Sequence, residues 1–187
     1  MPSPLTDPIT RPLRDFGKAR INRAPSPFIA VSLPWLLVML GSLSPTWPII
    51  ASAPLVPPIG FLLLVAWQQL RPGLFPVWAG LPLGLFDDLF SGQPVGSAVV
   101  LWSAAMLGLD FLEIRFPWRG VALNWLTACG FIAAYLALSL QISNAAGGSA
   151  TLLSILPQLL LSILAYPVAA RLVGAVDRLR LVPIRPL

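Results

Sequence analysis

Apolar residues gather in six runs along this chain, at about 28–43, 55–70, 74–90, 95–112, 120–140 and 151–170. Between them lie clusters that favour turns over continued helix: "SPTWP" at 44–48, "RPGLFP" at 71–76, "SGQP" at 91–94, "RFPWRG" at 115–120 and "SNAAGGSA" at 143–150. Each run approaches the roughly 20 residues that cross a hydrocarbon core of about 30 Å, the second and third being short. No ten-residue segments alternate polar with apolar positions as a barrel would need, and backbone exposed to lipid must otherwise be satisfied within its own segment. The pattern predicts an all-α integral membrane protein: a six-helix transmembrane domain over 28–172, a preceding tail at 1–27 and a following cytoplasmic tail at 173–187.

Composition sharpens this. Of 187 residues, 57% are hydrophobic and only 10% are charged, whereas a soluble domain carries about 25% charged residues. So few polar side chains cannot cover a globule in water, and the mean hydropathy of +0.82 says the same. The 21 prolines and 7 tryptophans fit, because Pro is commoner in membrane helices and Trp collects at their interfaces. Residues 1–27 are the exception: Arg11, Arg14, Lys18, Arg20 and Arg23 stand among six prolines, which reads as a basic, unstructured tail. Its charged region is too long for a secretory signal, and no small-residue cleavage site follows the apolar run.

The distribution of charge gives an orientation. With the N-terminus inside, the inner segments hold all 12 basic residues: five in the tail, then Arg71, Arg115 and Arg119, and Arg171, Arg178, Arg180 and Arg185. The outer loops at 44–54, 91–94 and 141–150 hold none. Cytoplasmic loops concentrate Lys and Arg, so both termini are expected in the cytoplasm. The same rule accounts for a net charge of +5 without a nucleic-acid partner. There is no histidine, which removes the commonest general base and metal ligand, and the lone Cys129 can form no intrachain disulfide. No cofactor or metal is expected.

Two acids stand out. Asp87 and Asp88 close a run, Leu74 to Phe86, that carries no charge. At 1.5 Å per residue, Asp88 lies roughly 21 Å along the third span, in the outer third of the membrane. An Asp at the bilayer centre costs about 2.5–3.5 kcal/mol, less toward the interface, and a helix C-terminus repels negative charge. A partner is therefore required, and no Lys or Arg is available on the outer side. The short turn "SGQP" supplies an alternative, with Gly92 suited to a left-handed C-cap and Pro94 to the start of the next helix. The amide-rich N-terminus near Val95 to Ser97 then comes close, and Asp88 can accept N–H bonds there. Adjacent helical residues point about 100° apart, so Asp87 is expected to face elsewhere, toward headgroups, water or another protein. Gly80 and Gly84 form a small-residue stripe expected to serve packing within the chain, and Pro82 is expected to kink the span. Asp110 and Glu113, with Arg115 and Arg119 beyond, read as a solvated interfacial cluster. The arginines of "DRLRLVPIRP" read as facing the anionic cytoplasmic leaflet.

The stretch "GLFDDLFSGQPVG", preceded by "RPGLFPVWAGLPLG", resembles the MreD family of bacterial rod shape-determining membrane proteins. The matching positions are Gly84, Leu85, Asp88, Gly92, Pro94 and Gly96, and Asp87 stands where the family usually has a hydrophobe. The specific likeness covers about a quarter of the chain. It implies a non-enzymatic component of the cell-elongation complex in the bacterial inner membrane, supporting peptidoglycan synthesis at the lateral wall. The partners it implies are MreC, then RodA and a penicillin-binding transpeptidase, with MreB reached indirectly and membrane lipid around the bundle. The implied bundle is similar to the substrate-binding subunits of energy-coupling-factor transporters, so a vitamin-binding subunit is the rival reading. Against it, spans one and two offer few cavity polar groups, namely Ser32, Gln68 and Gln69. Catalysis fares worse. "DDLFS" is one carboxylate short of the DDxxD that holds Mg²⁺ against diphosphate, the spaced aspartates of CDP-alcohol transferases are absent, and no His or intramembrane Lys could activate a serine.

Overall fold

A computed structural model describes residues 27–46, 56–116 and 120–180. The expectations for the basic N-terminal tail, Arg119 and the last seven residues fall outside that range. Each apolar run forms a helix: α1 Pro27–Ser42, α2 Ile59–Leu70, α3 Gly80–Ser91, α4 Ser97–Arg115, α5 Val121–Ala145 and α6 Leu156–Arg180. No strand occurs among the described residues.

Three departures from the sequence pattern have local causes. The third run becomes α-helical only at Gly80, after a 3-10 turn at Val77–Ala79. Pro72, Gly73 with φ 79° and Pro76 keep the preceding apolar residues out of a helix. Pro82 consequently falls in the first turn of α3, where a missing N–H leaves no bond unmade, and it opens the helix where a kink was expected. At the far end, α6 does not stop near residue 172 but continues to Arg180. Nothing in "VGAVDRLR" breaks a helix outright, and Asp177 and Arg180 pair across one turn.

Three segments are long and apolar enough to cross a membrane: Ser97–Arg115, Val121–Ala145 and Leu152–Arg180, the last including a 3-10 turn at Leu152–Ile155. Their outer faces leave large apolar side chains uncovered, such as Ile114, Val121, Leu126, Leu153 and Leu164. Together these mark a membrane protein, since water would not tolerate so continuous an apolar surface. By contrast α2 and α3 have 12 residues each, a rise of about 18 Å.

The core is built around α2. Every residue from Gly60 to Gln68 is buried, so this helix is enclosed on all sides, as an all-round apolar helix must be. It packs on α1, α4, α5 and α6. Phe61 stacks on Tyr135 with ring centroids 4.2 Å apart and meets Trp102 at 6.0 Å. The surrounding helices bury single stripes: Leu101, Ala105 and Leu109 on α4, and Ala128, Ile132 and Leu136 on α5.

Polar contacts tie the two ends of the bundle differently. At one end Arg71 pairs with Asp177 at 3.0 Å, and Arg180 donates to the carbonyl of Ala30 at 2.8 Å. Gln68 donates to Asp110 there as well. The described arginines, Arg71, Arg115, Arg171, Arg178 and Arg180, all belong to this end. At the other end Gln158 reaches the carbonyl of Val56 at 2.7 Å, and the end of α3, just before its turn into α4, carries Asp87 and Asp88.

Candidate functional site

The α3–α4 hairpin derives its shape from small residues. Gly92 closes α3 at φ 68°, and Gly96 precedes α4 at φ 95°, both in the left-handed region that side chains disfavour. Between them the Ser97 amide bonds the Pro94 carbonyl at 3.0 Å, completing a tight reversal. The helices then run back side by side in near-backbone contact. A Cβ on Gly84 would lie 2.6 Å from Val99 Cα, and one on Gly80 would lie 2.8 Å from Ser103 Cα. The small-residue stripe is thus occupied inside the chain, by α4.

This approach places Asp88 under the first turn of α4. Its Oδ1 accepts from the Ala98 amide at 2.8 Å and the Ser97 hydroxyl at 3.1 Å. Its Oδ2 accepts from the Gly96 amide at 2.8 Å and, more weakly, from the Val99 amide at 3.4 Å. A helix begins with N–H groups that lack partners and a partial positive charge, and a carboxylate satisfies both. Asp88 therefore caps a helix eight to eleven residues ahead of it, compensating for its own unfavourable place near the end of α3. The expected helix start at Val95 shifts to Ser97 because Gly96 is used in the turn.

Asp87 corrects the expectation that it faces outward. It is 7% exposed and points into the bundle, beside Ser42 of α1 and in the electrostatic reach of Tyr135 on α5. α3 is covered on two sides, by α4 and by α1. A rotation of about 100° from Asp88 therefore leads to a second interior face. Ser42 Oγ, beside Asp87, and Trp102 Nε1, beside Tyr135, are also buried and complete no hydrogen bond. Of the six motif positions, Leu85 alone projects a large side chain outward, at 48% exposure, between Leu81 and Leu89 on the same stripe.

The other sequence candidates lie at the arginine end. Asp110 is drawn inward by Gln68, whose amide is 3% exposed and needs an acceptor, so it is not simply a solvated charge. Gln69 donates to Thr127 at 3.0 Å and accepts from Tyr166 at 2.8 Å. Arg180, expected at the leaflet, is 9% exposed: it bonds Asp177 at 2.8 Å and lies 5.4 Å from the Trp67 ring. With the exposed Arg71 on the other carboxylate oxygen, this makes an Arg–Asp–Arg group, buried at Asp177 and Arg180, that sequence reasoning missed. Its one legible signal was the Asp177/Arg180 spacing of three. Among the described residues no three Asp, Glu or Cys side chains gather as metal ligands would.

Comparison with protein-family models, with curated proteins and with solved structures finds no match to this chain.

Proposed function

We propose that this protein is a non-catalytic, MreD-like component of the bacterial cell-elongation complex. In this reading it is a six-span inner-membrane protein with both termini cytoplasmic, and it binds MreC within the membrane. The observation that carries the reading is the structural job done by four of the six motif residues that prompted it. Gly84 admits the α4 backbone, Gly92 and Gly96 take left-handed turns, and Asp88 caps α4. A hairpin fixed so firmly is suited to presenting a surface, and Leu85 is the motif side chain it leaves uncovered. The rival vitamin-binding reading gains no comparable support. The cavity of about 430 Å³ between α2, α5 and α6 lies at the arginine end, away from the Asp88 turn.

Cross-linking tests this directly. A photoreactive residue at Leu85 should capture MreC in cells, whereas one at Leu164, exposed on α6, should not. Depletion of the protein should round up rod-shaped cells, and the isolated chain should turn over no lipid-linked precursor. Normal rods after depletion, or turnover by the isolated chain, would sink the proposal.

A further inference from the structure

The cavity between α2, α5 and α6 has no part in the hairpin. Its volume of about 430 Å³ lies in the range of small-ligand sites. One wall is apolar, from Ala66, Leu70, Pro167 and Ala170. Its polar lining is mostly committed, because Tyr166 donates to Gln69, which in turn donates to Thr127. Two groups remain. Asn124 lines the cavity one turn into α5, and Arg171 lines it from α6.

Arg171 is exposed and makes no ion pair or hydrogen bond with any described residue. Its neighbours in charge behave otherwise: Arg71 and Arg180 are both held by Asp177. No acidic side chain lines the cavity. The site thus offers one free guanidinium and an amide above an apolar trough, at the arginine-bearing end of a bundle whose flanks are apolar. That combination matches an amphiphile with an anionic head. A guanidinium binds phosphate oxygens through paired N–H groups, and basic pockets between membrane helices take anionic lipid heads.

We propose that this groove is a binding site for one anionic glycerophospholipid of the leaflet at the arginine-bearing end. The phosphate meets Arg171 and Asn124, and an acyl chain lies along Ala66, Leu70 and Ala170. Trp125, 44% exposed at the rim, suits the headgroup level of the bilayer. This inference rests on the cavity and the free arginine, and it stands apart from the shape-complex reading.

The test compares lipids on the purified full chain in a neutral detergent, by native mass spectrometry and thermal unfolding. Phosphatidylglycerol should remain bound at a ratio of one and raise the unfolding temperature, whereas phosphatidylcholine should do neither. Arg171→Gln should weaken phosphatidylglycerol binding about fivefold, equivalent to roughly 1 kcal/mol for one arginine. Arg178→Gln removes an exposed charge seven residues along α6 from Arg171 and outside the groove, and should leave binding unchanged. Equal losses in the two variants would mean unspecific surface attraction and overturn the site. So would equal binding of phosphatidylcholine, or unchanged binding by Arg171→Gln. Stabilisation by inorganic phosphate equal to that by phosphatidylglycerol would overturn the lipid as its ligand.

Discussion

Asp87 and Asp88 are adjacent, both buried, and differ in what surrounds them. Asp88 accepts from three backbone amides and a hydroxyl, so most of its lone pairs are used. Asp88→Ala leaves those amides unpaired in a dry interface and should lower stability by about 1–3 kcal/mol. Asp88→Asn keeps an acceptor oxygen while losing charge toward the α4 N-terminus, so its loss should be smaller. Thermal unfolding of the two variants in detergent checks the order. Equal losses would show that charge, not hydrogen bonding, holds the turn. Asp87 makes no ion pair among the described residues, and Ser42 beside it completes no hydrogen bond. A carboxylate in that position is costly to desolvate, so Asp87→Asn, with the same shape and no charge, should be neutral or stabilising. A clear fall in unfolding temperature would mean that the charge has a partner not seen in the isolated chain.

At the scale of elements, close approach is bought with glycine, and the approach can be probed where it is tightest. Gly84→Ala would place a methyl 2.6–2.8 Å from the backbone of Val99 and Ala98. Backbone cannot yield as a flexible side chain can, so α3 and α4 must separate, at about 1–3 kcal/mol. Gly130, inside α5, has nothing within 4 Å of its would-be Cβ, and Gly130→Ala should be neutral or stabilise by up to about 1 kcal/mol. Unfolding temperatures moving the same way in both would show that helix propensity, not contact, governs these sites. The Arg71–Asp177–Arg180 group allows a second comparison. Arg71 is 49% exposed, and its loss should cost roughly 0–1 kcal/mol. Asp177→Ala strands the buried Arg180 guanidinium and should cost about 3 kcal/mol or more. Equal effects would mean that Arg180 escapes to solvent in the variant.

For the whole molecule, what the sequence displays and what it conceals divide along physical lines. The helices were legible because the solvent is lipid: long apolar runs punctuated by Gly and Pro leave the backbone few alternatives. Asp88 was legible because its cost is local and its remedy lies within one turn. The enclosure of α2 was not, since a residue packed in protein and one facing lipid are equally apolar, and hydropathy cannot separate them. The onset of α3 was missed for a related reason, apolar residues continuing through a segment that Pro72, Gly73 and Pro76 hold out of helix. The Arg71–Asp177 pair joins residues 106 apart, and no spacing rule reaches so far. It nevertheless bears on topology. Arg71, Asp177 and Arg180 draw the ends of α1, α2 and α6 together, and the free arginines Arg171 and Arg178 flank them, so one end of the bundle is basic in space as well as in sequence. The opposite end shows the α5–α6 turn, where Asn144 bonds both backbone groups of Ala150 and no basic residue appears from 120 to 170. The positive-inside rule turns this into a prediction, that the arginine end is the cytoplasmic one. In a Cys129→Ala background, cysteines at Thr46 and Ser149, both exposed at the opposite end, should react with a membrane-impermeant maleimide added to intact cells. A cysteine at Arg178, equally exposed at the basic end, should react only after the membrane is opened. Labelling of the residue 178 cysteine in intact cells, with Ser149 silent, would invert the topology and place the groove beside Arg171 in the outer leaflet.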